Sequence, residues 1–417
     1  MDSTSFSPTV ATQTVPAAAR TALRLLQRLR HGSLAVQLPD GSMKVFGETV
    51  SSQNPRRLSA SLNLRNWNVC QAALRSGDVG FAESYSAGDW STPNLTDLLK
   101  LFIANRAEVE AIIYGNWACR ALLRVRHWLN RNTRANSRKN IHAHYDLGND
   151  FYRLWLDESM NYSSAWFDGN QAGAMPSAQD AKVRRALQMT QVQPGQRVLE
   201  IGCGWGALAE MAVTQFGAHV TGVTLSTEQL AFAKQRMSKS ATGNGTDAVA
   251  DLRLQDYRDI DDGPYDAICS IEMVEAVGQA YWPIYFGAVS HLLKPGGRAC
   301  IQSIVINDAL FDRYIHSTDF IQQYIFPGGC LPSPERFREA ASRAGLRVVD
   351  ELHFGADYAE TLRRWRKAFL QRRSEVLGLG FDERFLHIWE FYLAYCEAAF
   401  DMHNIDVVQF TLERTGG

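Results

Sequence analysis

The stretch VLEIGCGWGALAE, Val198 to Glu210, sets three glycines, Gly202, Gly204 and Gly206, directly behind an apolar run. The run reads as a buried strand, and the residues from Gly206 onward read as the first turns of a helix. Without Cβ atoms, such a turn lets the backbone approach a ligand at the carboxyl end of the strand. The spacing is GxGxG, not the GxGxxG of dinucleotide enzymes, and the strand carries Glu200 near its end. A carboxylate there repels a pyrophosphate and suits a ligand that bears an ammonium group and no phosphates, of which S-adenosylmethionine is one. Taken alone, a glycine-rich strand exit is also an ordinary structural turn.

Working outward, strand-like stretches alternate with helical ones. RVLEIG (197–202), HVTGVTL (219–225), LRLQD (252–256), YDAICSI (265–271), RACIQSI (298–304), LRVVDEL (346–352) and DVVQFTLER (406–414) have strand character, with helices expected over 206–216 and 227–238. This alternation predicts an α/β fold with a doubly wound, mostly parallel sheet of seven strands. About 20 residues after the glycines, where dinucleotide enzymes place an acid for the ribose, stand Thr224, Leu225, Ser226 and Gln229. Neutral hydroxyl and amide groups would have to make the ribose contacts. After the third strand come Gln255, Asp256 and Tyr257. Asp256 can accept from an adenine amino group and Tyr257 can stack nearby; an Asp at a strand exit is equally ordinary turn chemistry.

The chain has 417 residues, 46% hydrophobic and 21% charged, enough for one large domain and a smaller one. Residues 1–20, rich in Ser, Thr, Pro and Ala and lacking the apolar core of a signal peptide, are expected to be a flexible tail. Residues 21–105 are expected to form a small α+β domain with a hairpin at LAVQLPDGSMKVFG (34–47), turning at Pro39, Asp40 and Gly41. Seven scattered cysteines form no CxxC pair, which points to a reducing compartment without a disulfide framework or a metal site. No apolar run reaches the roughly 18 to 20 residues of a membrane span, so membrane contact is expected to be peripheral.

Net charge is only −1, yet no acid falls between Ala111 and Tyr145, where Arg120, Arg124, Arg126, Arg131, Arg134, Arg138 and Lys139 lie. Residues 106–140 therefore read as a basic amphipathic linker helix, and LRRWRKAFLQRR (362–373) is a second cationic cluster, interleaved with Trp365 and Phe369. Such faces either meet anionic lipid or are the solvated side of a helix packed on the protein's own core. No RNA- or DNA-reading motif accompanies them.

Taken in order, HYDLGNDFYRLWLDESMNYSSAWF (144–167), VLEIGCGWGALAE, VTLSTEQ (223–229), LQDYRD (254–259), EMVEAVG (272–278), YIFPGGCLPS (324–333) and FGADYAETLRRW (354–365) resemble the cyclopropane-fatty-acid synthases. The resemblance is strong from about residue 140 onward and weaker before it. It implies a class I, Rossmann-like, S-adenosylmethionine-dependent methyltransferase domain over 141–417, preceded by a small lipid-interacting domain. The implied substrate is the cis double bond of unsaturated phospholipid acyl chains, reached peripherally from the cytoplasmic side of an anionic membrane; relatives are often homodimers.

Methyl transfer to an alkene leaves a carbocation, and ring closure then needs a base in an otherwise apolar pocket. In similar enzymes that base is a bound bicarbonate. The motif match assigns its holders as Glu275, Tyr358, Gln302, Ile304 and Ser164, and assigns Tyr162 and Ser163 to the cofactor together with the glycine, Glu200, Thr224–Gln229 and Gln255–Tyr257 positions. Tyr145, Trp166, Phe311 and Tyr324 are further aromatic candidates for stabilising the cation, or plain core. The chain departs from the pattern at Gln302, where relatives often have histidine, at Ser164, often cysteine, and at Ala276, often histidine. Glutamine can donate but cannot carry a proton. These departures leave open a methylene or methyl branch in place of a ring. Methylation of a small molecule, and a lipid-binding protein with a vestigial adenosyl site, are the competing readings.

Overall fold

The structure is a computed structural model that describes residues 15–48, 58–109, 147–240 and 248–415. It divides into two compact units, 1–119 and 120–417.

In the first unit, helix α1 (Ala17–Leu26) precedes a four-stranded sheet in the order β2-β1-β3-β4, with β1 at Ser33–Gln37, β2 at Met43–Gly47, β3 at Ser59–Leu64 and β4 at Trp90–Ser91. Ala17–Arg20, read as the end of a tail, belong to α1, an Ala-rich helix former behind Pro16, and residues 1–14 of the expected tail lie outside the described residues. The expected hairpin is present: Leu34 pairs with Phe46, and Asp40 holds the turn by accepting from Ser42 N at 2.9 Å. Helices α2 (Asn68–Ser86) and α3 (Leu95–Ala104) also belong to the described residues of this unit. At the end of α3 the buried Asn105 accepts from Arg30 N and His31 N at 2.8 and 2.9 Å and donates to His31 O, tying the loop before β1 to the helix. Residues 110–140 of the expected basic helix, and Tyr145, lie outside the described residues.

Among the described residues, the second unit begins with α4 (Asn149–Arg153) and α5 (Met175–Met189). Then β5 (Arg197–Ile201), α6 (Ala207–Phe216), β6 (His219–Thr224), α7 (Thr227–Ser240), β7 (Ala250–Leu254), β8 (Tyr265–Ile271), α8 (Trp282–Leu292) and β9 (Leu293–Ile306) alternate. After α9 (Asp308–Tyr314), α10 (Phe320–Tyr324) and α11 (Pro334–Arg343) comes β10 (Leu346–His353). Helices α12 (Gly355–Gln371), α13 (Arg373–Gly378) and α14 (Glu383–Asp401) then lead to β11 (Ile405–Arg414).

The seven strands lie in the order β10-β11-β9-β8-β5-β6-β7, and β11 alone runs antiparallel to its neighbours. This is the doubly wound class I methyltransferase fold, as expected. The sheet feeds two cores by strict alternation: Leu199 and Ile268 pack on the α8 and α11 side, Val198, Ala267 and Cys269 on the α5 and α6 side. The strands β5, β6, β8 and β11 and the second half of β9 are buried on both faces, which is why their runs read as continuously apolar, whereas β7 and β10 at the sheet's edges are partly exposed. β9 begins five residues before the expected RACIQSI. Its register against β8 jumps between Leu293 and Arg298, where Lys294, Pro295, Gly296 and Gly297 loop out of the ladder.

Candidate active site

Because β6 and β7 lie to one side of β5 while β8 and β9 lie to the other, the chain reverses direction at β5, and a crevice opens at the carboxyl ends of these strands. A cavity of ≈ 180 Å³ occupies it, lined by residues of the glycine turn, the β6, β7 and β8 exits, and the segment 160–163. Gly204, at φ +49°, has open space where a Cβ would point, so a ligand can come against the backbone there. Gly206 serves packing instead: a Cβ on it would sit 2.9 Å from the Cβ of Ala233 on α7.

Glu200, the penultimate residue of β5, lies on the face covered by α5. Its Oε2 is buried at the cavity wall with no hydrogen-bond partner in the structure, and burial pushes its pKa up to about 8. Across from it, the fully buried Lys182 of α5 donates from Nζ to Ser163 Oγ at 2.6 Å, and burial brings the amine down to about 8. Gln179, one turn earlier, donates to Ser163 O at 2.9 Å. The sequence shows this signal: Gln179, Lys182 and Ala186 share the buried face of an amphipathic helix, and a lysine on such a face is unusual.

Tyr162, Ser163, Gly202, Thr224, Gln229, Gln255, Asp256 and Tyr257 all line the cavity, as the motif assignment requires. Ser226 does not. Its Oγ accepts from Gln229 N at 3.3 Å, so it caps the start of α7. Thr224 donates to Gln229 Oε1 at 3.0 Å, which leaves the Gln229 amide nitrogen as the donor at the wall. The Asp256 carboxylate is held by Arg258, at 2.5 and 2.8 Å, and accepts from Arg258 N at 3.0 Å; it caps the turn 257–259 as well as facing the cavity. Trp166, Phe311 and Tyr324 do not line this cavity. Phe311 belongs to the core beneath α8, and Tyr324 stacks on Phe320.

The expected anion holders converge, but on a residue that motif matching passed over. Glu272, the first residue after β8, lines the cavity and accepts three hydrogen bonds. The Tyr358 hydroxyl donates to its Oε2 at 2.6 Å; Gln302 Nε2 and Ser164 N donate to Oε1 at 2.7 and 2.9 Å. Glu275 is elsewhere: its Oε1 accepts from Ile304 N, and its enclosed Oε2 has no partner. Glu275 does not line the described cavity. Burial, and then the charge of neighbouring Glu272, push Glu275 up to about 8. Burial also raises Glu272, while its three donors oppose that rise. Glu272 sits at φ +51°, a strained backbone region for a residue with a Cβ.

The orientation of these groups is fixed from outside the cavity. Arg185 of α5, paired with Asp350 at 2.5 Å, donates to Gln409 Oε1 at 2.8 Å. A guanidinium only donates, so Gln409 must turn its amide nitrogen away, and it donates to Gln302 Oε1 at 3.0 Å. Gln302 is thereby left to donate toward Glu272. Gln302 and Gln409 are register partners on β9 and β11. From the other side, α12 anchors the segment that carries Ser164: Thr361 Oγ1 accepts from Ala165 N at 3.2 Å, and Asp357 accepts from Phe167 N at 2.7 Å.

The second cationic cluster is resolved by the same helix. Trp365 and Phe369 are buried, and Arg363, Arg364, Arg366, Arg372 and Arg373 each pair with a carboxylate, among them Glu360, Glu397 and Glu383. Its apolar stripe packs on the protein's own core, and its arginines are engaged in ion pairs within the chain.

Over residues 132–410 the chain matches the family described as mycolic acid cyclopropane synthetase. It is 40% identical to the tuberculostearic acid methyltransferase UfaA1 of Mycobacterium tuberculosis, over 96% of this chain and 92% of that protein. It is 34% identical to the cyclopropane-fatty-acyl-phospholipid synthase of Escherichia coli, over 85% of this chain and 88% of that one. Among solved structures, mycolic acid cyclopropane synthase CmaA1 complexed with SAH and CTAB superposes with a TM-score of 0.61 at 31% identity, covering 66% of this chain and 98% of that one.

Proposed function

The chain belongs to the mycolic acid cyclopropane synthetase family, and from that premise we propose that it methylates the cis double bond of an unsaturated phospholipid acyl chain and closes a cyclopropane ring by loss of a proton. It is an S-adenosylmethionine-dependent methyltransferase. The observation that carries the substrate class is the cavity itself: an unpartnered buried carboxylate, Glu200, on one side, and an enclosed carboxylate, Glu272, among Ile271, Met273 and Val277 on the other.

The residues present fit S-adenosylmethionine. Glu200 Oε2 lacks a partner and suits an ammonium group, Gly204 leaves room for close approach, and Gln229, Gln255, Asp256 and Tyr257 supply polar and aromatic contacts for a nucleoside. When bound, this donor supplies an electrophilic methyl group to the alkene. Glu200 and Ser163, held by Lys182, orient the amino-acid end; Tyr162, fixed by a 2.7 Å hydrogen bond with Tyr392, presents an aromatic ring at the cavity wall.

The residues present do not fit bicarbonate. Tyr358, Gln302 and Ser164 already donate to Glu272, and Ile304 N already donates to Glu275. An anion brought there would meet the Glu272 carboxylate and donors that are engaged. Access to lipid is attributed to the first unit and to the basic segment within 111–145, acting peripherally on anionic membrane. No helix of the described residues is long and apolar enough to cross a membrane.

A branched product is the second reading, favoured by the 40% likeness to a tuberculostearic acid methyltransferase. Incubation with isotopically methyl-labelled S-adenosylmethionine and vesicles of cis-unsaturated phospholipid distinguishes the two. One added methylene with upfield cyclopropane protons is the expected result. Vinylic methylene protons at the same mass would establish the branch, and labelled soluble acceptors without labelled lipid would overturn both.

A further inference from the structure

We infer that Glu272 is the catalytic base: its own carboxylate takes the proton from the methylated acyl chain, and no exogenous anion takes part. This rests on the alkene-methylation reading above.

Four observations converge on it. Glu272 lines the cavity, whereas Glu275 does not. Its carboxylate accepts from Tyr358, Gln302 and Ser164, the same donors that the sequence assigned to a bound anion, so a side chain occupies the place of that anion. The chain from Arg185 through Gln409 fixes Gln302 as a donor toward Glu272, which favours the ionised, proton-accepting form. Finally, the backbone at Glu272 is held at φ +51°, a strained geometry of the kind that persists where the surroundings over-determine it.

Gln302 also gains a reason. Histidine at that place could exchange a proton with a free anion, whereas a covalently held carboxylate needs only a fixed donor. The step balances without a co-reactant. A C–H bond of the transferred methyl breaks, its electron pair closes the third side of the ring, and the proton passes to a Glu272 oxygen, from which it leaves to solvent before the next turnover. In the branched outcome the same proton goes to Glu272 while the electron pair forms a C=C bond.

The test has an activity arm and a binding arm. In CO2-depleted buffer, wild-type turnover is expected to be unchanged, and added bicarbonate to have no effect. Loss of activity on depletion, restored by bicarbonate, would overturn the inference. Glu272→Gln is expected to lower turnover by at least about 100-fold, as for loss of a general base, while cofactor affinity stays within about threefold; turnover near wild type would also overturn it. Glu272→Gly frees the three donors, and bicarbonate or formate is expected to restore part of its activity. The binding arm uses 13C-bicarbonate NMR and is independent of turnover. No binding to wild type and binding to Glu272→Gly is the expected result, and saturable binding to wild type that Tyr358→Phe abolishes would sink the inference. Absence of labelled lipid from every variant and from wild type would instead refute the alkene-methylation reading, leaving the binding arm to decide whether Glu272 fills the anion's place.

Discussion

Glu200 lines the cavity and Lys182 lies behind it, holding Ser163; burial pushes the Glu200 carboxyl up to about 8 and the Lys182 amine down to about 8, so one gains negative charge and the other loses positive charge as pH rises. Both changes favour a cationic ligand. Affinity for S-adenosylmethionine, measured by calorimetry, is therefore expected to rise by up to about tenfold from pH 7 to pH 8 and to level off above about pH 9. Glu200→Gln should weaken binding by about 10- to 100-fold, the worth of a hydrogen bond to a charged group, and flatten that dependence. Glu275 gives a stability test. Its folded pKa, about 8, lies above its unfolded value near 4.5, so the folded state holds a proton that the unfolded chain has released. Stability from this group is complete below pH 4.5 and is lost as pH rises toward 8, by about 1.4 kcal/mol per pH unit. Glu275→Gln removes that slope, so the variant should be closer to wild type in urea at pH 5 and more stable than wild type at pH 9. Glu200 was legible as an acid inside a glycine motif. Glu272 was not, because an acid just after a strand reads as a surface or turn residue. Its donors lie 30, 86 and 108 positions away in the chain, and only the folded sheet and α12 bring them together.

At the scale of elements, every expected strand formed, most legibly the inner strands, whose burial on both faces leaves an apolar run that sequence displays directly. What it does not display is the contact between α5, β9 and β11. Gln302 and Gln409 read as polar interruptions of two strands, yet they are register partners, both fully buried. Gln409→Leu leaves the Gln302 carbonyl and Arg185 without their partner, so unfolding in urea should show a loss of about 1–3 kcal/mol. The same substitution frees Gln302 to turn over and should lower turnover while leaving cofactor affinity unchanged, a split that simple loss of packing would not produce. The loop-out at Lys294–Gly297 was equally hidden: Pro-Gly-Gly reads as a turn before a strand, and the ladder in fact continues across it.

For the whole molecule, the basic sequence within 111–145 is the first candidate lipid contact to test, since the arginines of 362–373 are engaged in ion pairs within the chain. Replacing Arg124, Arg131, Arg134 and Arg138 by glutamine should weaken sedimentation with anionic vesicles at low salt, and a protein that binds equally well at high salt would exclude an electrostatic contact.

The position of β11 has a consequence for how the enzyme comes into being. It is the last strand of the sheet in chain order, yet it lies between β9 and β10, and it brings Gln409 to the site. During translation the nascent chain can build the glycine turn and the cavity long before residue 405 leaves the ribosome, while β9 and β10 wait with open edges. A prematurely terminated product therefore lacks both the closure of its sheet and the polarised amides behind Glu272. The protein cannot hold its base in working order until synthesis of the domain is finished, so stalled or clipped chains expose adhesive strand edges for degradation and carry no competent catalyst to the lipid.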